Sequence, residues 1–186
     1  MEKKLILIDV QNDFVTGSLG TEEARRMLPR LIDKARHFSG EILMTQDSHS
    51  ENYLDTQEGK ILPVPHCIIG TDGWRFPQEL EKLRVERAAK VYQKPCFGSV
   101  SLVSDLKDAY EKNLLDSVEL VGICTDICVV SNALMIKSVL PELPVFVDAS
   151  CCAGVAPEKH RAALEVMQSC QIIIKGMSDY ETDGTT

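Results

Sequence analysis

Six side chains in this sequence could do chemistry together: Cys128, Lys94, the carboxylates Asp9 and Asp47, and the imidazoles His49 and His66. A cysteine nucleophile needs a base to take its proton, and a nearby cation stabilises the thiolate. Asp9 lies in LILIDVQNDF, where an acid at the end of an apolar run is costly unless paired. A carboxylate that merely caps a loop is the plainer reading of that residue. Lys94 precedes Pro95, which forces it into extended backbone and carries a strand direction onward. Alone it reads as a solvated charge. No histidine lies near Cys128 in sequence, so a Cys–His pair would need one from the segment around residue 49.

Asp47 and His49 are two apart, so in an extended segment both side chains project to one side. With His66 they offer one carboxylate and two imidazoles, a set that suits zinc, iron or manganese with positions left open for water or substrate. Glu58, between the two histidines, could add a further ligand, directly or through water. Hydrogen-bonded or surface histidines are the plainer alternative.

The elements that must position these groups follow from periodicity. Val118 to Ile123 is a short β-branched apolar run, read as a buried strand. Thr125 and Asp126 look like a helix start, and Ile127, Val130, Leu134 and Met135 recur at helical spacing up to about Val139, before Pro141. Cys128 then sits in the first turn of a helix, where the dipole and free N–H groups are expected to lower its pKa. Further strands are expected over 4–10, 41–46, 88–92, 145–149 and 172–174. Helices are expected over 22–38 (with Pro29 as a kink or a later start), 77–84, 101–112 and 157–169. Residues 47–75 show no periodicity, and so long an irregular stretch in a compact domain is usually functional. The tail SDYETDGTT reads as frayed.

Alternating strands and helices imply an α/β fold with a mostly parallel sheet covered on both faces. Ligands bind beyond the carboxyl ends of such strands. Asp9 ends the first strand, Asp47 and His49 follow the second, Lys94 the third and Cys128 the fourth. That convergence says more than any one residue.

At 186 residues the chain is expected to form one domain over 1–186. A net charge of −8 argues against a nucleic-acid partner, and no stretch resembles a membrane span or a secretory signal. Seven cysteines, an odd number without staple-like spacing, point to a reducing, cytoplasmic setting.

The stretches IDVQNDF, TQDSH, VPHCIIGTDG, QKPCFGS and GICTDICV, in this order along nearly the whole chain, resemble the cysteine hydrolases of the isochorismatase-like superfamily, nicotinamidases above all. The resemblance implies a three-layer α/β/α sandwich around a six-stranded parallel sheet. It implies a triad of Asp9, Lys94 and Cys128, with Cys128 as nucleophile. It also implies a cis peptide between Ile123 and Cys124 that turns the N–H groups of Cys124 and Cys128 toward an oxyanion. Asp47, His49 and His66 match the family's metal residues, zinc foremost, and Phe14 and Phe97 match positions lining its ring pocket. The implied activity is deamidation of nicotinamide to nicotinate and ammonia through a cysteine thioester. The substrate would be a small amide, and the chain could form a homo-oligomer. Two departures stand out: VTGSLG replaces the expected two-glycine turn after NDF, and Glu58 is spaced one residue differently from the expected acidic ligand. The alternatives are an amidase for carbamoyl or ureido substrates and a catalytically silent binding relative.

Overall fold

The structure is a computed structural model that describes residues 2–177. Six strands form one sheet: β1 (Glu2–Ile8), β2 (Glu41–Asp47), β3 (Lys90–Lys94), β4 (Leu115–Ile123), β5 (Val145–Ala153) and β6 (Ile173–Lys175). All pairings are parallel, in the order β3-β2-β1-β4-β5-β6. The period-two alternation of β1 shows why the sheet is sandwiched. Ile6 and Ile8 pack into a core shared with α5 (Val100–Glu111), α6 (Val130–Val139) and α7 (Pro157–Ser169). Leu5 and Leu7 pack into a second core with α2 (Glu22–His37) and α4 (Gln78–Glu86). Both faces are thus covered, which is the expected three-layer architecture.

From β1 the chain winds outward to β3, then crosses back to start β4 on the other side of β1. Connections after β1 and β4 therefore diverge, and an open sheet carries its ligand crevice at such a point. The contact between these strands is close. Gly122 lies at φ +130°, and a Cβ there would fall 2.2 Å from the Ile8 carbonyl oxygen, immediately before Asp9. Only glycine lets the two strand ends approach this closely.

Several elements differ from the sequence expectation. The helix after β4 opens as a π-helical turn over Thr125–Val129, with Val129 N–H bonded to the Cys124 carbonyl, five residues back. Thr125 does not cap it, because its hydroxyl is engaged by His160 of α7. The Ile123–Cys124 peptide, by contrast, is cis as the family resemblance implies. Helix α2 runs through Pro29 without a break, since Pro29 and the Arg25 carbonyl it leaves unbonded lie on the exposed face. Strand β5 continues to Ala153, past the apolar run, because Cys152 and Ala153 still pair with Gly122 and Ile123. Strand β1 stops at Ile8, and Asp9 takes a left-handed φ of 48°. The irregular stretch after β2 holds a 3₁₀ turn, Tyr53–Asp55, and the short helix α3 (Gln57–Ile61), while α1 (Asn12–Val15) follows β1. The tail from residue 178 lies outside the described residues.

Candidate active site

At the carboxyl ends of β1, β3 and β4 the structure brings Asp9, Lys94 and Cys128 into contact. Lys94 Nζ lies 2.6 Å from Asp9 Oδ2 and 3.7 Å from Cys128 Sγ, and it donates to the Cys96 carbonyl at 2.8 Å. All three residues are buried, Asp9 completely. Asp9 sits in a sparsely populated backbone region, held there by Thr45 of β2. Its N–H donates to Thr45 Oγ1 at 3.1 Å, and the Thr45 hydroxyl donates to Asp9 Oδ1 at 2.6 Å.

Burial decides the protonation states. It pushes the Cys128 thiol well above its usual value, and the Asp9 carboxylate, to which the thiol hydrogen-bonds, adds to the rise against Lys94. The thiol lowered by a helix end, as the sequence suggested, is therefore not what forms. Cys128 is buried within the π-turn, and that loss of solvent is the largest influence on its thiol. Burial also pushes Asp9 up, opposed by Lys94. For Lys94, burial works downward, yet Asp9, Cys128 and Asp47 keep it far above an ordinary lysine. The resting arrangement is a neutral thiol, a carboxylate able to receive its proton, and a fixed ammonium. Such a group can generate a thiolate on demand.

Beside it, linked by Lys94 Nζ at 3.4 Å from Asp47 Oδ1, stands a second cluster. The ligand atoms of Asp47, His49 and His66 lie within 4.8 Å of one another, and all three residues are buried. His49 Nε2 is 2.9 Å and His66 Nε2 3.6 Å from Asp47 Oδ2. His66 Nδ1 donates to the Val64 carbonyl at 2.9 Å, which fixes the tautomer that aims the Nε2 lone pair inward. Glu58 Oε1 is 3.9 Å from His49 Nε2 and 3.7 Å from His66 Nε2, so it reaches the same point from α3. One or two carboxylates with two imidazoles fit a divalent metal ion. Burial would raise Asp47, but His49 and Lys94 outweigh it and keep the carboxylate ionised, as a ligand must be.

The sequence did not disclose the residues that support these groups. Gln11, completely buried, accepts from Asp47 N–H at 2.8 Å and donates to the Asp47 carbonyl at 2.9 Å, pinning the end of β2. The Tyr53 ring stacks edge-on against both imidazoles, 4.8 Å from His49 and 5.0 Å from His66. Thr125 Oγ1 lies 2.8 Å from His160 Nδ1, tying the turn that holds Cys128 to α7. Thr45 offered the one local signal, a hydroxyl directly after the apolar run Ile42–Met44 of β2. Of the two phenylalanines, Phe14 is buried with its ring 5.5 Å from that of His66, whereas Phe97 is 46% exposed on the loop after Lys94.

An open parallel α/β sheet with a buried thiol, carboxylate and ammonium at its switch point defines the chain as a hydrolase scaffold of the cysteine type. The family model described as the Isochorismatase domain matches residues 3–177, and the chain belongs to that family. The nicotinamidase/pyrazinamidase of Mycobacterium tuberculosis is 29% identical over 185 residues, spanning 91% of this chain and 96% of its own. The crystal structure of nicotinamidase PncA from Bacillus subtilis shares 25% identity with a TM-score of 0.81, over 94% of this chain and 99% of its own. The pyrazinamidase of Pyrococcus horikoshii in complex with zinc shares 27% identity with a TM-score of 0.75, over 94% and 98%. The chain is thus a nicotinamidase-like hydrolase by family and by fold. No helix among the described residues is long and apolar enough to cross a membrane.

Proposed function

We propose that the chain deamidates nicotinamide to nicotinate and ammonia through a thioester on Cys128, with a divalent ion, zinc foremost, held by Asp47, His49 and His66. Glu58 adds a fourth donor to that set. The observation that carries this reading is the contact of Lys94 Nζ with both Asp9 Oδ2 and Cys128 Sγ, at 2.6 and 3.7 Å, among three buried residues.

The proton of Cys128 passes to Asp9 as sulfur attacks the amide carbon, and Lys94 balances the charge so formed. The backbone N–H groups of Cys124 and Cys128 are the donors assigned to the oxyanion. Asp9 returns the proton to the amide nitrogen, the C–N bond breaks and ammonia leaves, giving the thioester. Water then attacks the same carbon while Asp9 takes its proton; the C–S bond breaks, nicotinic acid leaves, and the proton on Asp9 returns to sulfur. A divalent ion in the neighbouring cluster supplies Lewis acidity toward a pyridine nitrogen or the hydrolytic water. Phe14, against His66, and Phe97 are the ring-lining residues in this reading. A reducing, cytoplasmic compartment suits the free thiols.

The test is ammonia release from nicotinamide by purified protein, beside Cys128→Ala and a chelator-treated sample. Release is expected from the wild type, abolished in Cys128→Ala and restored to the treated sample by zinc. No release from metal-loaded wild type would sink the nicotinamide reading and redirect the search to carbamoyl and ureido substrates.

A further inference from the structure

Asn132, on α6, is completely buried, four residues after the nucleophile. A buried carboxamide in a helix is costly unless every polar atom is satisfied, and here three bonds satisfy it. Its Oδ1 accepts from Ser99 N–H at 2.9 Å. Its Nδ2 donates to the Phe97 carbonyl at 3.1 Å and to the carbonyl of Cys128 itself at 2.8 Å. The segment gripped on the far side is the loop directly after Lys94. Lys94 holds that same loop through the Cys96 carbonyl at 2.8 Å. The contacts therefore close a ring: ammonium to Cys96, loop to Asn132, Asn132 to the Cys128 backbone, and Cys128 Sγ back to the ammonium at 3.7 Å.

Two neighbouring features show that the loop is seated on α6 rather than merely passing it. Gly98 sits directly on the helix, since a Cβ there would lie 2.3 Å from Met135 Sδ, three residues along from Asn132, and would have to push that thioether aside. Ser99 then turns the chain into α5, its hydroxyl accepting from Leu102 N–H at 3.3 Å.

We infer that Asn132 is a positioning residue that sets the distance between the Cys128 sulfur and the Lys94 ammonium by clamping the Lys94 loop to the nucleophile's own carbonyl. It touches no reacting atom. The clamp rests on Cys128 being the nucleophile, as proposed above. A misplacement of about 1 Å in such a geometry can cost roughly 100-fold in rate.

The test compares wild type with Asn132→Asp and Asn132→Ala, all with Cys96 and Cys170, the exposed thiols, replaced by serine. Asn132→Asp keeps the shape and the bond from Ser99 N–H, but removes both donors and faces two carbonyl oxygens with a carboxylate. Three quantities are read: kcat and KM for ammonia release, the rate of Cys128 alkylation by iodoacetamide followed by mass, and the melting temperature. In both variants kcat and the alkylation rate are expected to fall by about 10- to 100-fold, with KM within about threefold. Melting temperature should not track the loss, Asn132→Asp being the slower enzyme even where it melts no lower. Rates within twofold of wild type in both folded variants overturn the inference. So do rates that fall only in step with melting temperature. Should neither variant fold, Ser99→Pro tests the loop side with Asn132 in place, because it removes the N–H that Asn132 Oδ1 accepts. It should slow both reactions, and unchanged rates there reduce Asn132 to a folding residue. Alkylation does not depend on the substrate, so a wild type inert to nicotinamide would fail the functional reading while leaving the clamp measurable.

Discussion

Lys94 is shared by two carboxylates, Asp9 at 2.6 Å and Asp47 at 3.4 Å, and has almost no exposure. Removing either end of this group has different consequences. Lys94→Met leaves two buried carboxylates without their cation, a situation that costs about 3–5 kcal/mol. Asp9→Asn keeps the volume and the Thr45 contact, and Lys94 still has Asp47 and the Cys96 carbonyl. It takes away only the proton acceptor proposed above, a role worth roughly 100- to 10,000-fold in rate. Asp9→Asn is therefore expected to abolish most turnover with a modest change in urea midpoint, and Lys94→Met to lose both. Equal destabilisation by the two variants would refute the view that Lys94 is the structural keystone and Asp9 the base. These two residues were readable in the sequence because each ends a strand, and parallel strand ends converge whatever else the fold does. Gln11 was not, since it acts on Asp47 across 36 positions and on the Trp74 carbonyl across 63. Nothing local in IDVQNDF distinguishes such a side chain from a polar loop residue.

At the scale of elements, the π-turn over Thr125–Val129 is braced from two sides, by Asn132 of α6 and by His160 of α7. Periodicity read this stretch as ordinary helix on Ile127, Val130, Leu134 and Met135, but these are only partly buried, and the face turned to the core is Val129, Ala133 and Ile136. His160 carries no local signal in the sequence, since its partner Thr125 is 35 positions away. Burial holds the His160 imidazole down at about 4, the charge of Arg161 acting the same way and that of Asp126 against it. The ring is thus largely neutral in the folded protein near neutral pH. The unfolded chain takes up its proton near pH 6.5, so stability from this group is intact above that pH and drains away as pH falls toward 4. The loss amounts to roughly 3 kcal/mol at most, because each tenfold difference in proton affinity between the two states is worth about 1.4 kcal/mol. Urea midpoints at pH 7 and pH 4 should therefore diverge more in wild type than in His160→Asn, which keeps a hydrogen-bonding atom near Thr125 and cannot titrate. Parallel acid losses in the two proteins would show that the brace is not pH-linked.

Across the whole molecule, the two cores lie on opposite faces of the sheet, and the carboxyl ends of β1, β2 and β3 bury Asp9, Asp47 and Lys94 together beside the two imidazoles. Folding alone gathers Asp47, His49 and His66, with Glu58 beside them, from a span that holds no regular element longer than five residues between them. In the unfolded chain these donors are separate, so an ion that needs all of them binds the native state and hardly the unfolded one. Binding then adds stability by mass action, about 2.7 kcal/mol at 100 times Kd. For a domain of this size each kcal/mol raises Tm by roughly 2–4 °C. Chelator-stripped protein should accordingly gain about 5–11 °C on adding saturating zinc, with iron(II) and manganese following and magnesium well behind, because imidazole ligands disfavour it. The seven free thiols could bind zinc on their own, which makes the histidines the control. His49→Ala with His66→Ala removes both imidazoles from the cluster and leaves every cysteine, so the gain should vanish in that protein. A shift of equal size in wild type and double variant would move the ion to the thiols. It would leave the paired carboxylates and imidazoles as a hydrogen-bonded network that supports Lys94 without any metal.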